Sequence, residues 1–398
     1  MVVESLKRTG WLGELNCWWK GRRQEQRANE KLEWYLAQAE EKGIAVPGGK
    51  EIPELLRKRL QRRGVEVQKK QQGELHIFLI YYQNSWEGVL AEALEPFGRV
   101  SRFECFEQGY KIKTGSKEWI DQREGLDRDV LDVFEKANKE QPIDAVVGYM
   151  SGYMIRAETL EEMGKRGAVI FNCCWDDKLN FPGAQSGGRY NSPAEIAGAV
   201  DLNLTNAPES VVKYAVHGGL AMFWPPGALP EIHRPYKEEF KYEVSFAGAR
   251  YGRRGGFIKK LKEQGVEVEC FGAGWTNGKL SREEMVRLYS QSRINLGFSG
   301  VGHGQRLLCL KGRDFEVPMS GGLYLTEDNP ELSLVYEIGR EIVTYYDDED
   351  CAEKIKFLLN NPERGKEIRE GGRARALKEH TWEKRFEEIF GLAGMLTD

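Results

Sequence analysis

A near-continuous apolar run, Leu75-His76-Ile77-Phe78-Leu79-Ile80-Tyr81, interrupts a long stretch dominated by charged and amide side chains. A run without polar alternation fits a strand covered on both faces, as in a parallel sheet. The same texture recurs at Val100–Phe106, Ile143–Tyr149, Ala168–Cys173 and Asp201–Thr205. Helix-like stretches lie between and after these runs, at Trp86–Phe97, Leu126–Lys139, Arg156–Arg166 and Ser210–His217. Strand alternating with helix predicts a doubly wound sheet. Pro225-Pro226 through Pro230 to Pro235 then breaks the pattern and reads as an interdomain linker. The alternation restarts with strands at Glu243–Ala247, Val266–Phe271, Ile294–Phe298, Gly322–Thr326 and Glu341–Tyr345. Helices are predicted at Arg254–Gln264, Ser281–Gln291, Leu307–Ser320, Ala352–Asn360 and Pro362–Glu379. A last helix, Trp382–Phe390, follows a break at His380-Thr381. The pattern predicts an α/β chain with two doubly wound domains, 73–225 and 241–380, joined by a linker at 226–240, with 381–398 set apart.

Before the first strand, residues 1–72 hold sixteen Lys/Arg against ten Asp/Glu, so this segment is basic while the whole chain carries a net charge of −4. Gln24–Lys42 reads as helix, stopped by Gly43. A second helix, Pro53–Arg63, sets Leu55, Leu56 and Leu60 against several cations. Trp11, Trp18, Trp19 and Trp34 fall here, four of the ten tryptophans. Two readings stay open: a helical extension packed on the body, or a basic, Trp-bearing surface for a membrane or a charged partner.

With 40% apolar residues among 398, the chain can bury two cores, which excludes wholesale disorder. The near-neutral total does not mark a nucleic-acid binder, and no apolar window is long enough to span a bilayer. Lys7, Arg8 and Glu14 interrupt the N-terminal apolar residues, so no secretory signal is read there. Seven scattered cysteines have neither metal-ligand spacing nor the density of a disulfide scaffold. The expectation is a cytoplasmic, two-domain protein.

Two such domains would place two strand-end crevices opposite one another, an arrangement suited to joining two molecules with water excluded. The second domain carries the clearer chemistry. Phe246-Ala247-Gly248-Ala249-Arg250-Tyr251-Gly252-Arg253-Arg254-Gly255-Gly256 follows a predicted strand and opens a predicted helix. Gly248 allows close backbone approach, the helix start offers N–H groups, and Arg250, Arg253 and Arg254 add forked donors suited to phosphate. The plainer reading is a glycine turn with solvated arginines. A second turn, Gly297-Phe298-Ser299-Gly300-Val301-Gly302-His303-Gly304, also stands between strand and helix, and lacks the Gly-Lys-Ser/Thr ending of a Walker loop. Two such turns together point to a diphosphate. Beyond them, Lys311 and Arg313 are placed to reach phosphate oxygens, and Glu316 to accept hydrogen bonds from a ribose diol or to serve as a plain surface residue.

From Phe246 to about Arg385 the chain resembles the C-terminal domain of GT-B glycosyltransferases, specifically the group related to the spore-maturation protein CgeB. The matching pieces are SFAGARYGRR, ECFGAGW, REEMVRLYSQSRINLGF, KGRDFEVPMSGGLYLTED, GREIVTYYDDED and HTWEKRF, in that order. The first half agrees more loosely, through FNCCWDD and Asp201–Tyr214, and residues 1–72 carry no likeness. The resemblance implies two Rossmann-like domains facing a cleft, transfer of a sugar from a nucleotide-diphosphate donor, and a final helix crossing back onto the first domain. It implies Glu316 on the donor ribose, the Gly248–Arg254 turn and Lys311–Arg313 on the diphosphate, and Gly272 and Trp275 near the nucleobase. Gly302 and Gly304 join the donor set through the second turn. Many retaining relatives carry a glutamate eight positions before the ribose-binding one; here that position is Leu308.

Such a transfer needs a stabilised leaving diphosphate and an acceptor hydroxyl that loses its proton. Arg250, Arg254, Lys311 and Arg313 are candidates for the first duty, in place of a metal, so no metal or other cofactor is expected beside the nucleotide sugar. Asp348-Glu349-Asp350 reads as the cap of a helix rather than a metal motif. Asp176 and Asp177 end an apolar strand in the first domain, at the mouth of the acceptor crevice, and are candidates for general base or acceptor binding, against a plain turn role. His303 is a further candidate for proton transfer or phosphate contact. The acceptor, a glycan, a protein or a lipid-linked molecule, is not legible. A nucleotide-sugar epimerase of the same shape and a non-catalytic nucleotide-sugar-binding scaffold are the alternatives.

Overall fold

The computed structural model describes residues 11–82, 89–111, 116–302 and 306–397. They divide into two compact units. One comprises Glu30–Pro225 with Glu383–Asp398, the other Met1–Asn29 with Pro226–Trp382.

The first unit is built on a parallel six-stranded sheet in the order β2-β1-β3-β4-β7-β8. Its strands are β1 Leu75–Tyr81, β2 Gly98–Glu104, β3 Ala145–Gly148, β4 Val169–Cys174, β7 Leu202–Thr205 and β8 Ala221–Phe223. All seven residues of β1 are buried, as its near-continuous apolar run requires, the one polar member, His76, being hydrogen-bonded to the Gln141 carbonyl and Ser101. In-register parallel pairing runs from Leu75 opposite Gly98 to Tyr81 opposite Glu104. A short hairpin, β5 Gln185–Ser186 with β6 Arg189–Tyr190, and strand β8 were not read from the sequence, where brevity hides them. The helix Trp382–Leu392 serves this unit: Phe390 packs on Phe97 and Phe171, Phe386 on Trp224, and Trp224 Nε1 donates to the Arg385 carbonyl at 3.0 Å.

The basic front segment is longer and more engaged than its pattern suggested. One helix runs Trp11–Glu41, and a second Ile52–Arg62. Tyr35 and Ala39 enter a core with Phe181 and Tyr214, while Leu56 and Leu60 are buried. Three of its cations are engaged within the unit. Arg63 pairs with the buried Asp201 and donates to the Ala168 carbonyl, Arg59 donates to the Gly198 and Gly218 carbonyls, and Lys70 pairs with Asp144 at 2.7 Å. Residues 30–72 therefore follow the packed reading. Trp18 and Trp19 remain 40% and 57% exposed, beside Lys20, Arg22 and Arg23.

The second unit carries a parallel five-stranded sheet, order β10-β9-β11-β12-β13. The strands are β9 Tyr242–Ala247, β10 Glu269–Phe271, β11 Ser292–Leu296, β12 Tyr324–Glu327 and β13 Val343–Tyr345. Helices Arg254–Glu263, Arg282–Gln291, Asp348–Asn360 and Pro362–Glu379 agree closely with expectation. The expected Leu307–Ser320 helix does not form over its first half; only Arg313–Met319 is helical. Residues 307–309 instead pair with 299–301, Val301 N donating to the Leu307 carbonyl (2.8 Å) and Cys309 N to the Ser299 carbonyl (3.0 Å). That non-local pairing satisfies backbone groups that a helix would otherwise have used. The acids at 348–350 serve helix-start and surface contacts: Asp350 N donates to Asp347, Tyr346 N to Asp350, and Lys260 pairs with Asp348.

Candidate functional site

In the five-stranded sheet the chain winds one way from β9 to β10 and the other way through β11, so winding reverses between β9 and β11. Ligands of open parallel sheets sit outside the carboxyl ends of the strands at that reversal. The two glycine-rich turns leave these two strands, at Gly248 and Gly297.

The first turn is zipped to the neighbouring loop. Gly248 N donates to the Phe271 carbonyl and Arg250 N to that of Ala273, each at 2.8 Å. Trp275 Nε1 donates to the Gly248 carbonyl at 2.8 Å. Gly272 sits at φ +129°, where a Cβ would lie 2.4 Å from that carbonyl oxygen, so only glycine allows this approach. Arg250 is exposed, its guanidinium 5.4 Å from the Trp275 ring centroid. Among the described residues no acceptor takes the amides of Tyr251, Gly252 and Arg253, which precede the Arg254–Glu263 helix.

The three arginines part company. Arg254 is buried; Nη1 donates to the Ala249 carbonyl (2.9 Å) and Nη2 to the Tyr251 hydroxyl (3.0 Å). Its guanidinium lies 4.0 to 5.5 Å from the ring centroids of Tyr251, Phe246 and Phe298. Burial, with Arg313 nearby as a second cause, lowers its pKa to about 10. It braces the turn from beneath, a correction to its expected place among the outward phosphate donors. Arg253 pairs with Glu327, a 4% exposed residue at the end of β12. Only Arg250 projects as the pattern suggested.

The second turn is already occupied by an internal anion. The Glu327 carboxylate accepts Ser299 N at 3.2 Å and also the Gly300 amide. Gly297 N and Val301 N donate to the Leu325 and Leu307 carbonyls. The amides of Gly297, Ser299, Gly300 and Val301 are thus used, where the sequence suggested a second open phosphate cradle. Gly302 has φ +60°. His303 and Gly304 lie outside the described residues.

Arg313 reaches the first turn across the fold: a Cβ at Gly248 would sit 3.2 Å from its Nη1, and its Nε is buried without a hydrogen bond among the described residues. Arg313 begins the short helix that carries Glu316, whose carboxylate folds back over Gly312. Burial, and Glu316 second, hold the Tyr289 phenol protonated. Lys311 Nζ lies 2.9 Å from Cys309 Sγ. Asp314 fixes this segment: fully buried, it accepts Lys311 N and the Tyr324 hydroxyl, each at 2.7 Å. Burial pushes its carboxyl up to about 6. Asp314, Tyr324 and Glu327 were not singled out from the sequence, because their roles exist only once β12 lies beside the two turns.

In the first unit, β4 leads into Trp175-Asp176-Asp177 and β3 into Tyr149. The Tyr149 and Trp175 rings are 5.8 Å apart, and the Tyr149 hydroxyl donates to exposed Asp176 at 3.3 Å. Asp177 is fully buried, accepts the Tyr214 hydroxyl at 2.9 Å, and is pushed up to about 6 by burial. Lys213 Nζ donates to the Asp177 carbonyl at 2.9 Å. Of the two expected acids, Asp176 faces solvent, and Asp177 anchors its loop to the Val211–Val216 helix.

Residues 253–391 match the profile of a glycosyl transferase-like family. No curated protein matches. Three solved structures share the overall fold, each covering 80% of this chain and 98% of its own. They are the sucrose-phosphate synthase of Thermosynechococcus elongatus (11% identity, TM-score 0.57), a glycosyltransferase of Rickettsia africae (9%, 0.57) and Anabaena HepE in complex with UDP (10%, 0.52). At these identities the likeness establishes the fold, GT-B, with two Rossmann-like domains.

Proposed function

We propose that this chain is a glycosyltransferase that takes a sugar from a nucleoside-diphosphate donor bound by the second unit and passes it to an acceptor hydroxyl bound by the first. The observation that carries the reading is the convergence of the Gly248 turn, Arg250 and Arg313 at the winding reversal of the five-stranded sheet. The glycosyl transferase-like match over 253–391 and the fold shared with a UDP-bound protein support it.

In this reading the amides of Tyr251–Arg253 and the cations Arg250, Lys311 and Arg313 receive the diphosphate and stabilise it as it leaves. Glu316 accepts hydrogen bonds from the ribose, and Gly272 and Trp275 border the nucleobase. Fixed cations take the place of a divalent metal. Asp176, exposed beside Tyr149, is the general base that receives the acceptor proton. His303, Gly302 and Gly304 complete the donor side. The relationship to the CgeB group and a cytoplasmic location belong to the same reading. Exposed Trp18 and Trp19 with Lys20, Arg22 and Arg23 offer a surface for a membrane or an acidic partner.

Thermal denaturation with a panel of nucleoside diphosphates tests the donor assignment. UDP or another member is expected to raise the Tm, and Glu316→Ala to abolish the gain. No shift with any nucleotide refutes it. Product analysis without acceptor separates transfer from epimerisation.

A further inference from the structure

The first unit contains a second concentration of guanidinium groups that the proposed reaction does not use. A cavity of about 630 Å³ opens between the starts of the Lys117–Glu140 and Ala157–Lys165 helices and the β5–β6 hairpin, lined by Arg123, Arg156 and Arg189. Helices of a parallel sheet begin at its carboxyl edge, so the cavity lies on the edge where such sheets bind ligands.

Two of the three cations, Arg156 and Arg189, share one buried carboxylate. Asp127, 7% exposed, accepts Arg156 N and the Thr159 hydroxyl through Oδ1, each at 2.8 Å. Its Oδ2 faces Arg156 Nε at 3.5 Å and Arg189 Nη1 at 3.6 Å, too long for a hydrogen bond to either. Arg123, 3% exposed, uses Nη2 on the neutral carbonyls of Ser186 (2.7 Å) and Gly187 (3.1 Å). Its Nη1, and Nη1 of Arg189, are buried without a hydrogen bond among the described residues. Gly187, at φ +55°, lets the hairpin close on Arg123: a Cβ there would lie 2.6 Å from Nη2. Four further acids line the cavity, of which Asp121 and Glu158 are exposed. Glu124 is 73% exposed and pairs with Arg156, and Glu195 accepts Tyr190 N at 2.8 Å.

A buried guanidinium without a carboxylate partner among the described residues, as Arg123 is, is costly, and Arg189 beside it has only a share of Asp127. An oxyanion in the cavity would supply the missing acceptors, aided by the positive ends of two helices. We infer that the Arg123–Arg156–Arg189 pocket binds a phosphate group, carried by the acceptor as a phosphomonoester. The acceptor role rests on the proposed sugar transfer; the binding does not.

Titration of the full chain with inorganic phosphate and with glycerol 3-phosphate at constant ionic strength, by calorimetry, tests the assignment. Saturable binding is expected, weakened about tenfold or more by Arg189→Gln, as for loss of one charge-assisted hydrogen bond. Arg250→Ala, in the other unit, is expected to leave it in place, which excludes the diphosphate site as the source. Arg123→Gln should weaken it too; because Arg123 also holds the hairpin, Arg189→Gln with an unchanged circular dichroism spectrum is the deciding variant. Undiminished affinity in folded Arg189→Gln, or no saturable phosphate binding in the parent, overturns the site. Tighter binding of inorganic phosphate than of glycerol 3-phosphate overturns the acceptor role. UDP binding in the same preparation is an independent readout: its absence with phosphate binding intact sinks the sugar-transfer reading alone.

Discussion

Replacing Glu327 with alanine tests whether the second glycine turn is held by an internal anion. The substitution removes the partner of Arg253 and the acceptor of the Ser299 and Gly300 amides in one step. Breaking a buried ion pair costs about 3–5 kcal/mol when the remaining charge stays buried. The Arg253 side chain is 25% exposed, so water recovers part of that, and about 2–3 kcal/mol remains. Each stranded amide adds about 1 kcal/mol, less where the loosened turn lets water in. The sum is about 3–5 kcal/mol. For a unit of this size, about 2–4 °C is lost per kcal/mol, which puts the fall in its melting transition at roughly 10 °C. Scanning calorimetry reads this, and hydrogen exchange at Ser299 and Gly300 should accelerate with it. Added phosphate should recover part of the loss, because the vacated amides then donate to an external anion. A Tm change below about 2 °C with unchanged amide protection refutes the account of this turn.

Two further substitutions probe the same unit. Gly248→Ala brings a methyl 2.7 Å from the Phe246 ring and 3.2 Å from Arg313 Nη1. It should weaken nucleotide binding by an order of magnitude while leaving strand β9 folded, as followed by calorimetric titration and circular dichroism. Asp314 supplies a pH signature: burial raises its carboxyl from 3.8 to about 6 in the folded chain. A raised carboxyl contributes stability that is complete below about pH 4 and lost as pH rises through about 6, a loss of roughly 3 kcal/mol. Asp314→Asn should flatten that part of the stability–pH curve between pH 4 and 7 in urea titrations. An unaltered slope counts against the buried-acid account.

What the sequence determined by itself is the element order. A near-continuous apolar run marked the start of the first sheet because a strand covered on two faces is mostly apolar, a local requirement visible in the seven residues Leu75–Tyr81. Glycines between strand and helix marked the Gly248 turn for the same reason: the backbone demand is written at the residue that meets it. Failures came where a distant segment outbid a local preference. Residues 307–309 carry a helical pattern, yet pair with 299–301. Arg250, Arg253 and Arg254 are indistinguishable in sequence; the aromatic rings around one, the Glu327 carboxylate on another and solvent around the third separate them. Asp176 and Asp177 differ likewise, since only the second finds Tyr214. The folded chain alone decides whether a charged side chain reaches water or a partner, because its free energy depends on neighbours brought together from far along the sequence.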